Sequence, residues 1–172
     1  LDSALADAKV SLARNIYFVF DGSGSMNESF SGQDRFNRKI DGAKWAVREF
    51  MSKIPEDVNL GLYVFDTHGA REVLSLGPNN KDKFLAAIDA VEVAGNTPLG
   101  DATRFGTDQL IKQYQRQLGY GEFRLIVVTD GIVTAGITIQ EAAQYALERR
   151  IPIYTIGLCI GGDHPLRHWS VS

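Results

Sequence analysis

The segment Asp21-Gly22-Ser23-Gly24-Ser25 directly follows the apolar run Ile16 to Phe20, so one carboxylate and two hydroxyls stand at the end of an expected strand. Glycines at alternate positions let the backbone turn sharply, and the side chains between them can converge on one point. Oxygen ligands alone select a hard cation over zinc or copper. Hydroxyls beside a single carboxylate suit a small octahedral ion that keeps some of its waters. Mg2+ fits that description first, with Mn2+ or Ca2+ as the other hard ions. A short run of turn residues can equally be a plain serine-rich loop, so the choice depends on what stands beside it in space.

Two further segments supply neighbours. Gly95-Asn96-Thr97-Pro98-Leu99-Gly100-Asp101 reads as a loop entering a helix, with Pro98 near the first helical position and Thr97 at or beside the N-cap. Thr97 could serve there only to bond a free backbone N–H. Phe123 to Thr129 is a continuous apolar run followed by Asp130-Gly131, the pattern of a buried parallel strand reaching its carboxyl end. Ligands of open α/β sheets bind outside such ends. Asp130 could simply cap the next turn, but a doubly wound sheet would bring it close to Asp21, and repulsion between the two would favour a bound cation.

In this order, Asp21-x-Ser23-x-Ser25, Thr97 and Asp130-Gly131 resemble the complete metal-ion-dependent adhesion site of a von Willebrand factor type A domain, and the likeness covers nearly the whole chain. It implies that Asp21, Ser23, Ser25 and Thr97 surround a divalent ion and that Asp130 acts through water. The wording Asp21 to Met26 and Asn96 to Gly100 looks more like bacterial members of the family than like integrin or collagen-receptor members. An ion facing two carboxylates and three neutral hydroxyls is only just neutralised and can still attract an anion. The resemblance implies that a partner protein's Asp or Glu completes the coordination. The expectation is therefore a non-enzymatic, metal-dependent protein-binding module; an intracellular adaptor working with a ring-forming ATPase is the alternative within the family.

The elements that would position these residues alternate strand and helix patterns, which argues for a doubly wound, mostly parallel sheet with helices on both faces. Core strands are expected over Asn15 to Phe20, Val58 to Phe65, Phe123 to Thr129 and Ile153 to Cys159, with Arg71 to Ser75 a short strand that the resemblance implies is antiparallel at an edge. Phe36, Ile40, Ala43, Val47, Phe50 and Ile54 form one face of a long helix. Phe84, Ile88 and Val91 mark a shorter helix after Asn79-Asn80, and Leu99 to Leu118 a longer one. Thr138-x-x-Glu141 is a capping box ahead of Ala142, Ala143, Ala146 and Leu147.

Composition narrows the remaining classes. A chain of 172 residues with 44% hydrophobic content fits one domain over 1–172, and the resemblance implies an expectation that the family's usual last strand and carboxy-terminal helix are missing from it. Net charge is −3 with both signs interspersed, which gives no electrostatic case for nucleic acid or an anionic membrane surface. No run reaches membrane-span length and the amino terminus has no signal-peptide layout. The single Cys159 reads as a buried small hydrophobe, so the compartment stays open, with a periplasmic or cell-surface place favoured over the cytoplasm.

Enzyme motifs are lacking. Gly22-x-Gly24 has no third glycine at the dinucleotide-loop offset, no Gly-x-x-x-x-Gly-Lys-Ser/Thr occurs, and Ser23 stands where an aspartyl phosphotransferase wants a second acid. Ser23 is not in Gly-x-Ser-x-Gly. His68, His164 and His168 read as surface or turn residues, the last two with Pro165 between them and no third zinc ligand. The loop Asn27 to Arg35, with Phe30 as an anchor or a folded-back aromatic, and the segments Thr67 to Ala70 and Ile132 to Gly136 are the candidate rim.

Overall fold

A computed structural model describes residues 12–29, 36–131 and 134–158. Five strands, β1 (Arg14–Asp21), β2 (Asn59–Asp66), β3 (Gly69–Gly77), β4 (Glu122–Thr129) and β5 (Ile153–Gly157), form one sheet in the order β3-β2-β1-β4-β5. β1 is central and parallel to both β2 and β4, β5 is parallel to β4, and β3 is antiparallel to β2 at the edge. The helices are α1 (Lys39–Lys53), α2 (Lys81–Asp89), α3 (Leu99–Arg116) and α4 (Ile139–Glu148).

Period-two alternation sorts the core onto two faces. Ile16, Phe18 and Phe20 of β1, with Leu62 and Val64 of β2 and Ile126 and Val128 of β4, pack beneath α1 and α2. Tyr17 and Val19, with Leu125 and Val127, face α3 and α4. Phe18 is gripped between Phe50 of α1 and Phe84 of α2, at ring-centroid distances of 5.9 and 4.7 Å. Because each helix is locked to the sheet by such residues, the loops at the carboxyl ends of β1 and β4 leave from fixed points.

The doubly wound architecture matches the sequence expectation, with differences at element ends. β3 runs over nine residues rather than Arg71 to Ser75, because cross-strand pairing to β2 extends the ladder to Gly69 and Gly77. Phe36 lies ahead of α1, where its ring packs on Trp45 at 5.6 Å, and Val91 lies just past α2. Ile54 is the C-cap of α1, and α3 stops at Arg116, after which Leu118 has a φ of 53° that a helix cannot continue. The capping box forms as expected: Glu141 N–H donates to Thr138 Oγ1 and Thr138 N–H to Glu141 Oε2. Asn80 occupies the N-cap of α2 without a side-chain cap bond and instead donates to the Leu60 carbonyl at 2.7 Å. Phe30, most of the Asn27 to Arg35 loop, Ile132, Val133, Cys159, His164 and His168 fall outside the described residues. No helix among the described residues is long and apolar enough to cross a membrane.

Candidate functional site

Asp21 is the last residue of β1 and is fully buried. Its Oδ1 accepts from the Ser23 amide at 2.9 Å and its Oδ2 from the Thr129 hydroxyl at 2.6 Å. The first bond curls the chain back over the strand end and aims the serine loop. Ser23 is then buried and Ser25 half-buried, with their hydroxyl oxygens 3.2 Å apart. Carboxylate oxygens have about four lone-pair positions, so the two bonds to Asp21 leave acceptor capacity.

Gly22 acts by size rather than by a special dihedral, whereas a Cβ on Gly24 would meet only the Gly95 carbonyl at 3.7 Å. A Cβ on Gly22 would lie 2.7 Å from Val91 Cγ1 and 3.0 Å from the Phe65 carbonyl, because Gly22 N–H donates to that carbonyl at 2.9 Å. Neither Gly22 nor Gly24 has a positive φ, and the chain turns here through a short 3-10 turn over Gly24–Asn27. The Gly22 carbonyl accepts from Ala94 N–H at 2.9 Å and Gly24 N–H donates to Gly95 at 3.2 Å. These bonds fasten the serine loop to the stretch that carries Thr97.

Thr97 is buried one residue ahead of Pro98, which takes the N-cap position of α3 with no side-chain cap bond. The Thr97 amide donates to Thr134 Oγ1 at 2.8 Å, and the Thr134 amide returns to the Thr97 carbonyl at 3.3 Å. The loop after β4 is thereby tied to the start of α3. Gly100 lets the two meet, since a Cβ there would stand 2.1 Å from the Ile137 carbonyl oxygen.

Asp130 follows β4 and is also buried. Its Oδ2 accepts from Lys39 Nζ at 2.9 Å, and the same ammonium donates to Glu28 Oε2 at 2.7 Å. Burial pushes the Asp21 carboxyl above the usual range against the hydrogen bonds from Ser23 and Thr129, and the nearby charge of Asp130 adds to the rise. Two buried carboxylates thus feel each other across the β1/β4 strand ends, as the sheet order requires.

The sequence does not single out Thr129 or Lys39, and it places Glu28 and Thr134 only within the candidate rim segments Asn27 to Arg35 and Ile132 to Gly136. Thr129 was signalled only by adjoining Asp130, and nothing around Lys39 marked it as a partner for a residue 91 positions away. Of the candidate rim segment Thr67 to Ala70, Thr67 and His68 form the turn that joins β2 to β3 and Gly69 and Ala70 begin β3; the turn is organised by Asp66, which accepts from Arg71 at 2.6 Å and from the His68 amide at 2.8 Å. At the opposite rim, by the strand starts, a cavity of about 400 Å³ is lined by Ile16, Phe50, Ile54 and Val58 with Arg14 and Arg124. It lacks the convergence of hydroxyls and carboxylate found at the other end.

The donor set is hard and oxygen-only. No group of three or more His, Cys, Asp or Glu capable of holding a metal occurs among the described residues, so any ion here would rely on the hydroxyls. A buried carboxylate with spare lone pairs, two serine hydroxyls within hydrogen-bond distance and a second buried carboxylate fit Mg2+, Mn2+ or Ca2+ and do not fit a soft, thiolate-seeking ion.

A family model described as the von Willebrand factor type A domain matches residues 15–168. The uncharacterized protein YwmD of Bacillus subtilis (strain 168) is 29% identical over 135 residues, covering 71% of this chain; the chain spans 57% of that relative's length. Among solved structures, the pilus adhesin SpaC from Lactobacillus rhamnosus GG aligns with a TM-score of 0.64 at 17% identity, over 86% of this chain and 24% of that one. Proximal thread matrix protein 1 from the mussel byssus, described with a zinc-occupied MIDAS motif, aligns with a TM-score of 0.63 at 17% identity, over 87% and 39%.

Proposed function

The chain belongs to the von Willebrand factor type A family, whose members are generally protein-interaction modules rather than enzymes, and from that premise we propose that it binds a protein partner through a divalent ion at the β1/β4 rim. The observation that carries the reading is the buried Asp21 with the Ser23 and Ser25 hydroxyls gathered beside it. Asp21, Ser23 and Ser25 would hold the ion, Thr97 would contribute its hydroxyl from the adjoining loop, and Asp130 would act through water. Mg2+ is the ion assigned, with Mn2+ or Ca2+ able to substitute. Bound there, the ion supplies an unsatisfied positive charge for an anionic group.

The chain's own residues do the rest. Thr129 and the Ser23 amide fix both oxygens of Asp21, so little reorganisation accompanies binding. The bonds from Gly22 to Ala94 and Gly24 to Gly95 keep the serine and threonine loops in register. The ligand group would be a partner's Asp or Glu carboxylate. A likeness in fold to a pilus adhesin and to a protein with zinc in its MIDAS motif supports the capacity of this scaffold for such contacts.

Calorimetric titration of metal-stripped protein with Mg2+ tests the reading. Saturable binding is expected, and Asp21→Ala, which keeps its circular dichroism, should lose it. Wild-type protein that takes up neither Mg2+ nor Mn2+ would remove the ion from the proposal.

A further inference from the structure

Lys39 stands where an unpaired lysine should not. It opens α1, at the positive end of the helix dipole, and is only 8% exposed. A cation at a helix N-terminus is disfavoured, and a buried ammonium is retained only with partners. Its partners are unequal: the Asp130 side chain is 1% exposed, whereas that of Glu28 is 63% exposed. The backbone delivers the amine to this position, since Lys39 N–H donates to the Glu28 carbonyl at 3.0 Å and Ser29 bridges Arg38. Arg38 adds a bond to Asn27 Oδ1. The 3-10 turn of the serine loop and the start of α1 are therefore clasped around one ammonium.

The charge balance explains why. Asp21 and Asp130 are both buried at neighbouring strand ends, and the charge of Asp130 adds to the cost of ionising Asp21. Lys39 supplies one positive charge to this pair from within the chain. An incoming divalent ion needs the Asp130 side of the site and is repelled by the ammonium held there.

We propose that Lys39 is a built-in competitor of the divalent ion: its ammonium holds Asp130 in the metal-free protein and is passed to Glu28, already in contact, when metal enters. The proposal rests on the metal-binding reading above. It makes the metal-free rim self-supporting and sets the ion's affinity lower than the oxygen donors alone would give. Glu28 lies at the exposed mouth, so the released ammonium remains tethered beside the rim.

Mn2+ titration read by the electron paramagnetic resonance of free Mn2+, with Mg2+ titration by calorimetry, separates the possibilities in wild type, Lys39→Met, Lys39→Arg and Glu28→Gln. Lys39→Met should bind metal about ten-fold more tightly, equivalent to about 1.4 kcal/mol. Its metal-free form should melt below wild type and gain more from saturating Mg2+. Lys39→Arg keeps the charge and should stay within about three-fold of wild type. A residue with a merely structural role would weaken binding when removed, not tighten it. Should Lys39→Met fail to fold, Glu28→Gln decides at 0.5 M NaCl, where the exposed Glu28 charge is itself screened. It leaves Lys39 with Asp130 alone, so metal binding should weaken, and unchanged or tighter binding overturns the proposal. If wild type binds metal and Lys39→Met binds it no more tightly, the competitor role is overturned while the metal site stands. If wild type binds no metal, both fall.

Discussion

Replacing Thr129 by Val removes a hydroxyl while keeping nearly the same shape, and the structure fixes what is lost. Thr129 Oγ1 donates to Asp21 Oδ2 at 2.6 Å, a buried bond to a carboxylate, and accepts from Gly131 N–H at 2.9 Å. A hydrogen bond to a charged group contributes about 1.5–3 kcal/mol and a neutral one about 0.5–1.5. The valine methyl restores neither, and no cavity opens to add to the loss. The expected destabilisation of metal-free protein is therefore about 2–4 kcal/mol, a fall of roughly 4–16 °C in Tm for a chain of this size. Urea denaturation in EDTA, with calorimetry alongside, measures it; the midpoint should fall without a change in slope. Thr129→Ser, which keeps the hydroxyl and loses only a methyl, should cost about 1 kcal/mol. Mg2+ affinity should drop in Thr129→Val because one Asp21 oxygen is no longer anchored. A Thr129→Val loss under about 0.5 kcal/mol, or equal losses for Val and Ser, would refute the assignment of Thr129 as the support of Asp21.

Gly100→Ala gains at most about 1 kcal/mol of helix propensity but sets a Cβ 2.1 Å from the Ile137 carbonyl; overpacking against backbone costs about 1–3 kcal/mol. Net destabilisation with weaker Mg2+ binding is expected in paired melts and titrations, and a stabilised variant would contradict the close approach of α3 to the β4 loop. For Asp66, burial alone would raise the carboxyl, but hydrogen bonds from Arg71 and the His68 amide, with their charges, outweigh it and hold the pKa below the usual carboxylate range. A depressed folded-state pKa gives stability that is full above the unfolded value, near 3.8, and lost as pH falls through the folded one. Wild type should exceed Arg71→Met by about 1–2 kcal/mol at pH 7, the half-exposed arginine limiting the figure. That advantage should shrink below about pH 4 in urea titrations run across pH; an advantage that is constant from pH 7 to 2 would contradict the pairing.

Local pattern carried much of the architecture. Ile16, Phe18 and Phe20 alternate with Tyr17 and Val19, and that alternation alone assigns them to opposite layers. Thr138 and Glu141 are three residues apart, so their reciprocal bonds depend on nothing beyond one helical turn. Asp21 and Asp130 sit at strand ends because each apolar run stops there. Errors gathered where a neighbour in space sets the limit: β3 is lengthened by its pairing to β2, and Phe36 leaves the helical stripe to meet Trp45.

What the sequence by itself determined was the α/β class, the strand-end position of Asp21 and Asp130 and the oxygen-bearing side-chain types of the proposed ligands Asp21, Ser23, Ser25, Thr97 and Asp130, because residue type and short-range spacing are local properties. What only the tertiary structure decided was who stands beside whom. The order β3-β2-β1-β4-β5 sets the end of β4 against the end of β1, so that Thr129 reaches Asp21 across 108 residues and Lys39 reaches Asp130 across 91. No periodicity encodes such pairs; they follow from packing two helical layers on a sheet whose strand order is fixed by the whole chain.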